Sequence, residues 1–165
     1  MPNDVPAASE KDVMEQVLCS EVVGHLGMAS GDEPYVVPIN YVYLEGKIVM
    51  HCALAGKKLQ MIRRNPSVCF VVSRQEGSAT PHDANQCDMP FESVICYGTA
   101  RIVNDLEERV ELLNQFQRRY DTPEKQREPI TAERAQRCGA IVIEVESMTG
   151  RKHPGKHWFA WVKEE

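Results

Sequence analysis

The sequence predicts a small, mainly β domain: a six-stranded antiparallel barrel with peripheral helices. Three observations point there. After residue 22, apolar residues recur with a period of two over most of the chain, the spacing of half-buried strands. The first three such segments are joined by short, glycine-bearing connections, as in antiparallel hairpins. Stretches with helical spacing are few and peripheral, which disfavours an alternating α/β sheet. With 165 residues, 42% of them hydrophobic and 26% charged, the chain has room for one core.

In chain order, residues 1–8 read as a loose, disordered tail, with Pro2 and Pro6 among polar or small residues, and 9–165 as a single domain. Ser9 opens a helix with Asp12 three positions on, a capping-box arrangement, and Val13, Met14, Val17 and Leu18 supply its apolar stripe. Val22–Ser30 is the first strand, Ser30–Glu33 a turn around Gly31, and Pro34–Leu44 the second strand. Glu45–Gly46 turns into the third, Lys47–Cys52. A short helix over Gly56–Arg64 stops at Asn65-Pro66, because the residue before proline resists the α region. Val68–Val72 is a buried strand. The stretch Ser73–Pro90 is long, polar and aperiodic, as lids, interface arms and disordered loops are. Phe91–Val103 is a long strand. Asn104 then caps a helix whose Leu106, Val110, Leu113, Phe116 and Tyr120 share one face. A charged linker and a small helix over Thr131–Cys138 precede the last strand, Ala140–Ser147.

Composition narrows the partners. Nineteen Lys plus Arg against 24 Asp plus Glu give a net charge of −5, which argues against a general nucleic-acid binder. No apolar run approaches the ~20 residues that cross a bilayer. The start, MPNDVPAASEKD, lacks the basic and apolar regions of a secretory signal, so no membrane association and a cytoplasmic location are expected. The six cysteines lie far apart with no CxxC pair, as reduced thiols do in that compartment. There is no P-loop, dinucleotide fingerprint or Gly-x-Ser-x-Gly elbow.

Two features carry chemistry. After His51-Cys52, a small-residue turn (Ala53-Leu54-Ala55-Gly56) leads into a helix that begins Lys57-Lys58. Two cations in a first turn oppose the helix dipole, and Arg63 and Arg64 at the other end suit it. A bound phosphate would reverse the sign at the start, since free N–H groups and both ammoniums would face an anion. Otherwise the two lysines simply extend into solvent. Pro38 lies inside a strand pattern, which implies an edge or a bulge. Asn40, on the same side, adds an amide that both donates and accepts, suited to a uracil-like heterocycle edge. An edge strand guarded against aggregation is the other reading.

The run PYVVPINY, then IVMHCALAGKKLQMIRRNPSVCF, then FESVICYGTARIV resembles the FMN-binding split-barrel proteins related to pyridoxamine 5'-phosphate oxidase, nearest the nitroimidazole-reductase branch. The similarity covers about residues 20–150. It implies a split barrel, FMN as cofactor, and a homodimer with flavin at the interface. It also implies that Val37, Pro38, Ile39 and Asn40 border the flavin ring and that His51, Cys52 and Ala53 follow the ribityl chain. Gly56, Lys57 and Lys58 would hold the phosphate, and Ser93 would approach the pyrimidine edge from the partner. His51 matches a histidine implicated in substrate handling; a buried structural histidine is the alternative. These roles together describe a flavin-dependent oxidoreductase acting on a small molecule such as a nitro-aromatic. A non-catalytic flavin- or haem-binding module of the same fold is the competing reading. The C-terminal TGRKHPGKHWFAW does not match the oxidase's Arg-and-His motif, which disfavours pyridoxamine phosphate as substrate. In that tail Trp158 either stacks on flavin from a second copy or docks on the barrel. Pro154 and Gly155 break the helix that His153 and His157 would need to share a metal, so no metal is expected.

Overall fold

The computed structural model describes residues 9–75, 90–153 and 159–160. Its elements run α1 (Glu10–Ser20), β1 (Val23–Ser30), β2 (Glu33–Asn40), β3 (Val42–Leu44), β4 (Lys47–Cys52), α2 (Lys57–Arg64), β5 (Ser67–Gln75), β6 (Phe91–Ile102), α3 (Leu106–Arg119), α4 (Ala132–Ala135), β7 (Gly139–His153) and β8 (Phe159–Ala160). The strands form one antiparallel sheet in the order β2-β1-β5-β6-β7-β4-β3, with β8 on β7. The sheet curls so that β2 approaches β4 without a ladder between them, the geometry of a split barrel. Among the described residues, no helix is long and apolar enough to cross a membrane. The tail at residues 1–8 lies outside the described residues, as does most of the long polar loop.

The predicted class holds, with several changes of detail. There are eight described strands where six were expected, because the Pro34–Leu44 strand divides at Tyr41 and a short β8 adds to β7. Tyr41 is 1% exposed, meets Phe70 edge-on at 4.9 Å and donates its hydroxyl to Leu18 O at 2.7 Å. That anchorage turns the chain inward, so β2 stays on β1 while β3 pairs with β4, and the meander is broken. The third helix is capped by Asp105, whose side chain accepts from Glu108 N at 2.8 Å; Asn104 does not cap it. The helix expected over Thr131–Cys138 shortens to four residues behind its Thr131 cap. The last strand runs on past Ser147 to His153, since β6 offers it a partner along that length. At α1 the expected capping box is complete, with Ser9 N donating to Asp12 Oδ2 at 2.9 Å and Asp12 N to Ser9 Oγ at 3.2 Å.

Strand alternation then separates two apolar layers. Leu26, Ile48, Met50, Phe70, Ile141 and Ile143 are fully buried inside the barrel, each contributing about 1.5–3 kcal/mol by burial. On the opposite face of β4 and β7, Val49, Ala140 and Val142 pack against Leu113 and Phe116 of α3 and Ala135 of α4. This second cover explains why β4 and β7 read as near-continuous apolar runs. Among the described residues the outer face of β2-β1-β5-β6 has no such cover: Val23, Val36 and Tyr97 are 45%, 62% and 47% exposed there. The register between β6 and β7 shifts at Tyr97/Gly98, where Glu146 of β7 is the extra residue, a bulge that bends β7. Only glycine fits position 98, because a Cβ would sit 2.0 Å from the carbonyl oxygen of Glu144.

One end of the barrel holds a buried carboxylate. Glu92 is 2% exposed and takes Arg74 Nε on Oε2 at 2.6 Å and the Lys152 ammonium on Oε1. Burial pushes its pKa up, but the hydrogen bonds from Lys152 and Arg74 outweigh that and hold it below the usual glutamate value. Lys152, within the C-terminal run TGRKHPGKHWFAW, is therefore a structural cation.

Candidate functional site

The first turn of α2 is unlike the other helix starts. Ser9, Asp105 and Thr131 cap α1, α3 and α4 with a side-chain oxygen, each with acidic residues in the first turn. Helix α2 begins at Gly56 with no side-chain cap and no first-turn acid. Its first backbone bond is Gln60 N to Gly56 O, at 3.2 Å, which leaves the preceding N–H groups pointing out of the helix start. Gly56 adopts φ 138°, a conformation closed to other residues, with nothing within 4 Å of where a Cβ would lie. The start is thus open, positive and rich in backbone donors, and the donor set fits a phosphate group.

The two lysines there are not equivalent. Lys57 Nζ lies 2.6 Å from Glu33 Oε1 and 4.6 Å from the centre of the Tyr35 ring, so it is tied to the beginning of β2. Glu33's pKa is lowered first by its hydrogen bond from Lys57 and then by that lysine's charge. Lys58 has no carboxylate partner among the described residues. Its charge reaches His51 and Cys52 at the end of β4.

Alternation decides what each predicted residue offers. On β2, Val37 and Ile39 pack against the interior, so they present only backbone outward, whereas Pro38 and Asn40 face out. Pro38 is on the strand that ends the sheet, where a missing N–H costs no internal ladder bond. Asn40 Nδ2 donates to Val22 O at 3.2 Å. On β4, the Cys52 thiol turns into the barrel at 8% exposure and burial raises its pKa, while His51 faces out. Ala53 is exposed in the turn that follows. Ser93 is on the outer face of β6, three strands from Asn40 by way of β1 and β5. At ~4.8 Å per strand that is about 14 Å along the sheet, so one chain does not bring Ser93 to the site. Trp158 lies outside the described residues.

The sequence reading missed the wall that gathers these groups. The His51 ring stands edge-on to Phe116 of α3, centroids 4.8 Å apart, and Phe116 stacks on Tyr120 at 4.9 Å. Tyr120 Oη donates to Tyr41 O at 3.0 Å, and burial raises its pKa against a lowering contribution from Asn40. The rings of Tyr120 and Phe116 therefore run from the Asn40 end of β2 to His51, which also feels the charge of Lys58. From sequence, Phe116 and Tyr120 are simply members of a helix's apolar face. Burial, and secondarily Lys58, lower the His51 pKa below 6.5, so the imidazole is mostly neutral at pH 7. A neutral ring beside a phosphate-binding turn can donate one hydrogen bond and accept another.

The fold has relatives among known proteins. A family model described as pyridoxamine 5'-phosphate oxidase matches residues 10–152. A search of curated proteins returns no match. Among solved structures, a candidate 5-nitroimidazole antibiotic resistance protein from Bacteroides thetaiotaomicron is 24% identical, with TM-score 0.72 over 85% of this chain and 82% of that one. The flavocytochrome Anf3 of Azotobacter vinelandii is 17% identical, with TM-score 0.74 over 96% and 77%. A FAD-binding protein from Mesorhizobium loti is 22% identical, with TM-score 0.61 over 85% and 92%. At these identities the likeness is one of fold.

Proposed function

Because the chain belongs to the pyridoxamine 5'-phosphate oxidase family, we propose that it binds FMN at α2, β2 and the end of β4 and transfers electron pairs to a small acceptor. The uncapped, doubly cationic start of α2 is the observation that carries this reading. When bound, flavin supplies two-electron chemistry. The chain's own groups do the rest. Lys58 and the free N–H groups hold phosphate, with Lys57 shared between phosphate and Glu33. The outward edge of β2 and the Asn40 amide meet the ring's polar edge, and His51 exchanges a proton with the acceptor. A nitro-aromatic is the acceptor that the resemblance favours.

The site's other wall is a second copy of the chain. The outer face of β2-β1-β5-β6, uncovered among the described residues and with Val36 its most exposed large hydrophobic side chain, is the surface available for it. A homodimer made through that face would supply Ser93 from the opposite chain. Val36→Lys is expected to give a folded monomer, by size exclusion with light scattering, that retains little flavin. A dimeric Val36→Lys protein with full flavin content would remove this face from the site.

An absorbance spectrum of the purified protein, with and without added FMN, tests the cofactor assignment. Flavin bands near ~450 nm are expected, and chromatography of the heat-released cofactor should give FMN. Released FAD would keep the site and change the ligand. A Soret band would transfer His51 to haem ligation, and a colourless protein indifferent to FMN would overturn the proposal.

A further inference from the structure

Beside His51 opens a cleft of about 360 Å³ between α3 and the connection that follows it. That volume lies in the range of small-molecule sites. Its floor is apolar, from Leu113, Phe116 and Ile130, and its rim carries Arg127 and Arg134; no carboxylate is among the described lining residues. The connection is held in place rather than loosely draped. Asn114 Nδ2 donates to Ile130 O at 3.0 Å, and Ile130 N returns a bond to Asn114 Oδ1 at 2.8 Å. Gln117 Nε2 donates to Glu128 O at 3.1 Å.

The hydrogen-bonding inventory of the rim narrows the ligand. Tyr120 spends its hydroxyl on backbone carbonyls, and the Cys138 thiol is directed at the Cys52 and Gly139 carbonyls. Arg127 commits Nη1 to Asp121 and to Tyr120 O, which fixes the guanidinium and leaves its other N–H groups uncommitted among the described residues. The Arg134 guanidinium has no side-chain partner among the described residues, although Glu133 is its neighbour in sequence and pairs instead with Arg137. What remains on offer is a flat aromatic wall, an apolar floor, a neutral imidazole and one uncommitted guanidinium. We infer that the cleft binds a planar aromatic carboxylate, its ring against Phe116 and its carboxylate on Arg134, where the paired N–H groups of a guanidinium match two oxygens. Resting on the flavin reading, this makes the cleft the acceptor pocket and aromatic acids the acceptor class, with His51 the group common to cofactor and acceptor.

The probe is 4-nitrobenzoate, compared with the uncharged isostere 4-nitrobenzamide. Equilibrium dialysis on the full chain, with and without FMN, should show the acid bound at least ~10-fold more tightly, as a charge-assisted pair predicts. Arg134→Gln, an exposed position with no partner to lose, should abolish that preference while flavin content is unchanged. Equal affinities for acid and amide, or an R134Q protein that still prefers the acid, would overturn the pocket. The two readings separate cleanly. Arg134-dependent binding of the acid by a chain that takes no flavin keeps the cleft and removes the cofactor. Flavin binding with no acid preference does the reverse.

Discussion

Lys57→Glu/Lys58→Glu should lose FMN by more than ~100-fold in affinity while its melting temperature stays within a few degrees of the parent. Each lysine contributes a charge-assisted contact worth roughly 1.5–3 kcal/mol to a phosphate, and the reversal adds repulsion where the helix dipole and free N–H groups had attracted the anion. Stability is expected to hold, because acidic residues suit a first helical turn and the buried face of α2, Leu59, Met61 and Ile62, is untouched. The single substitutions should differ. Lys58→Ala is expected to be the more damaging, since Lys57 already faces Glu33 at 2.6 Å and only part of its charge is available. Glu33→Gln should tighten FMN binding for the same reason. Fluorescence titration of FMN against each protein reads all four. Equal flavin affinity in parent and double variant would dismiss α2 as the anchor.

His51→Ala should bind FMN almost as the parent does and reduce a nitro-aromatic about 10²-fold more slowly, the scale of a lost proton-transfer group. The pH profile separates this from a structural effect. With its pKa lowered, first by burial and then by Lys58, His51 becomes imidazolium only as pH falls below 6.5. The parent's rate should therefore climb as pH drops through that pKa, and the climb should vanish in the variant. Phosphate bound at Lys58 would offset the lysine's charge, so the titration should lie higher in the flavin-loaded protein than in the free chain. The measurement is anaerobic stopped flow, mixing dithionite-reduced, FMN-loaded protein with the nitro compound. Matching rates and profiles would return His51 to a packing role against Phe116.

By itself the sequence determined the class of fold, the positions of most strands, the Ser9 capping box and the anomaly at Lys57-Lys58. These are local facts, written in period, turn chemistry and the sign of charge at a helix end. It also marked Pro38 and His51 as unusual for their strands. Only the tertiary structure decided the break at Tyr41, where a buried hydroxyl bond to Leu18 and the edge of Phe70 outweigh a strand pattern that runs straight through. It likewise distinguished Lys57 from Lys58, through a glutamate 24 positions earlier in the chain, and turned Lys152 from a tail cation into the partner of a buried carboxylate. The cleft beside His51 belongs to the same class. Phe116 and Tyr120 read as an ordinary apolar stripe, Arg127 as part of a charged linker and Arg134 as part of a small helix, until the bonds from Asn114 fold that linker back over α3. Contacts between distant segments depend on which faces meet, and a one-dimensional pattern records the faces without recording their partners.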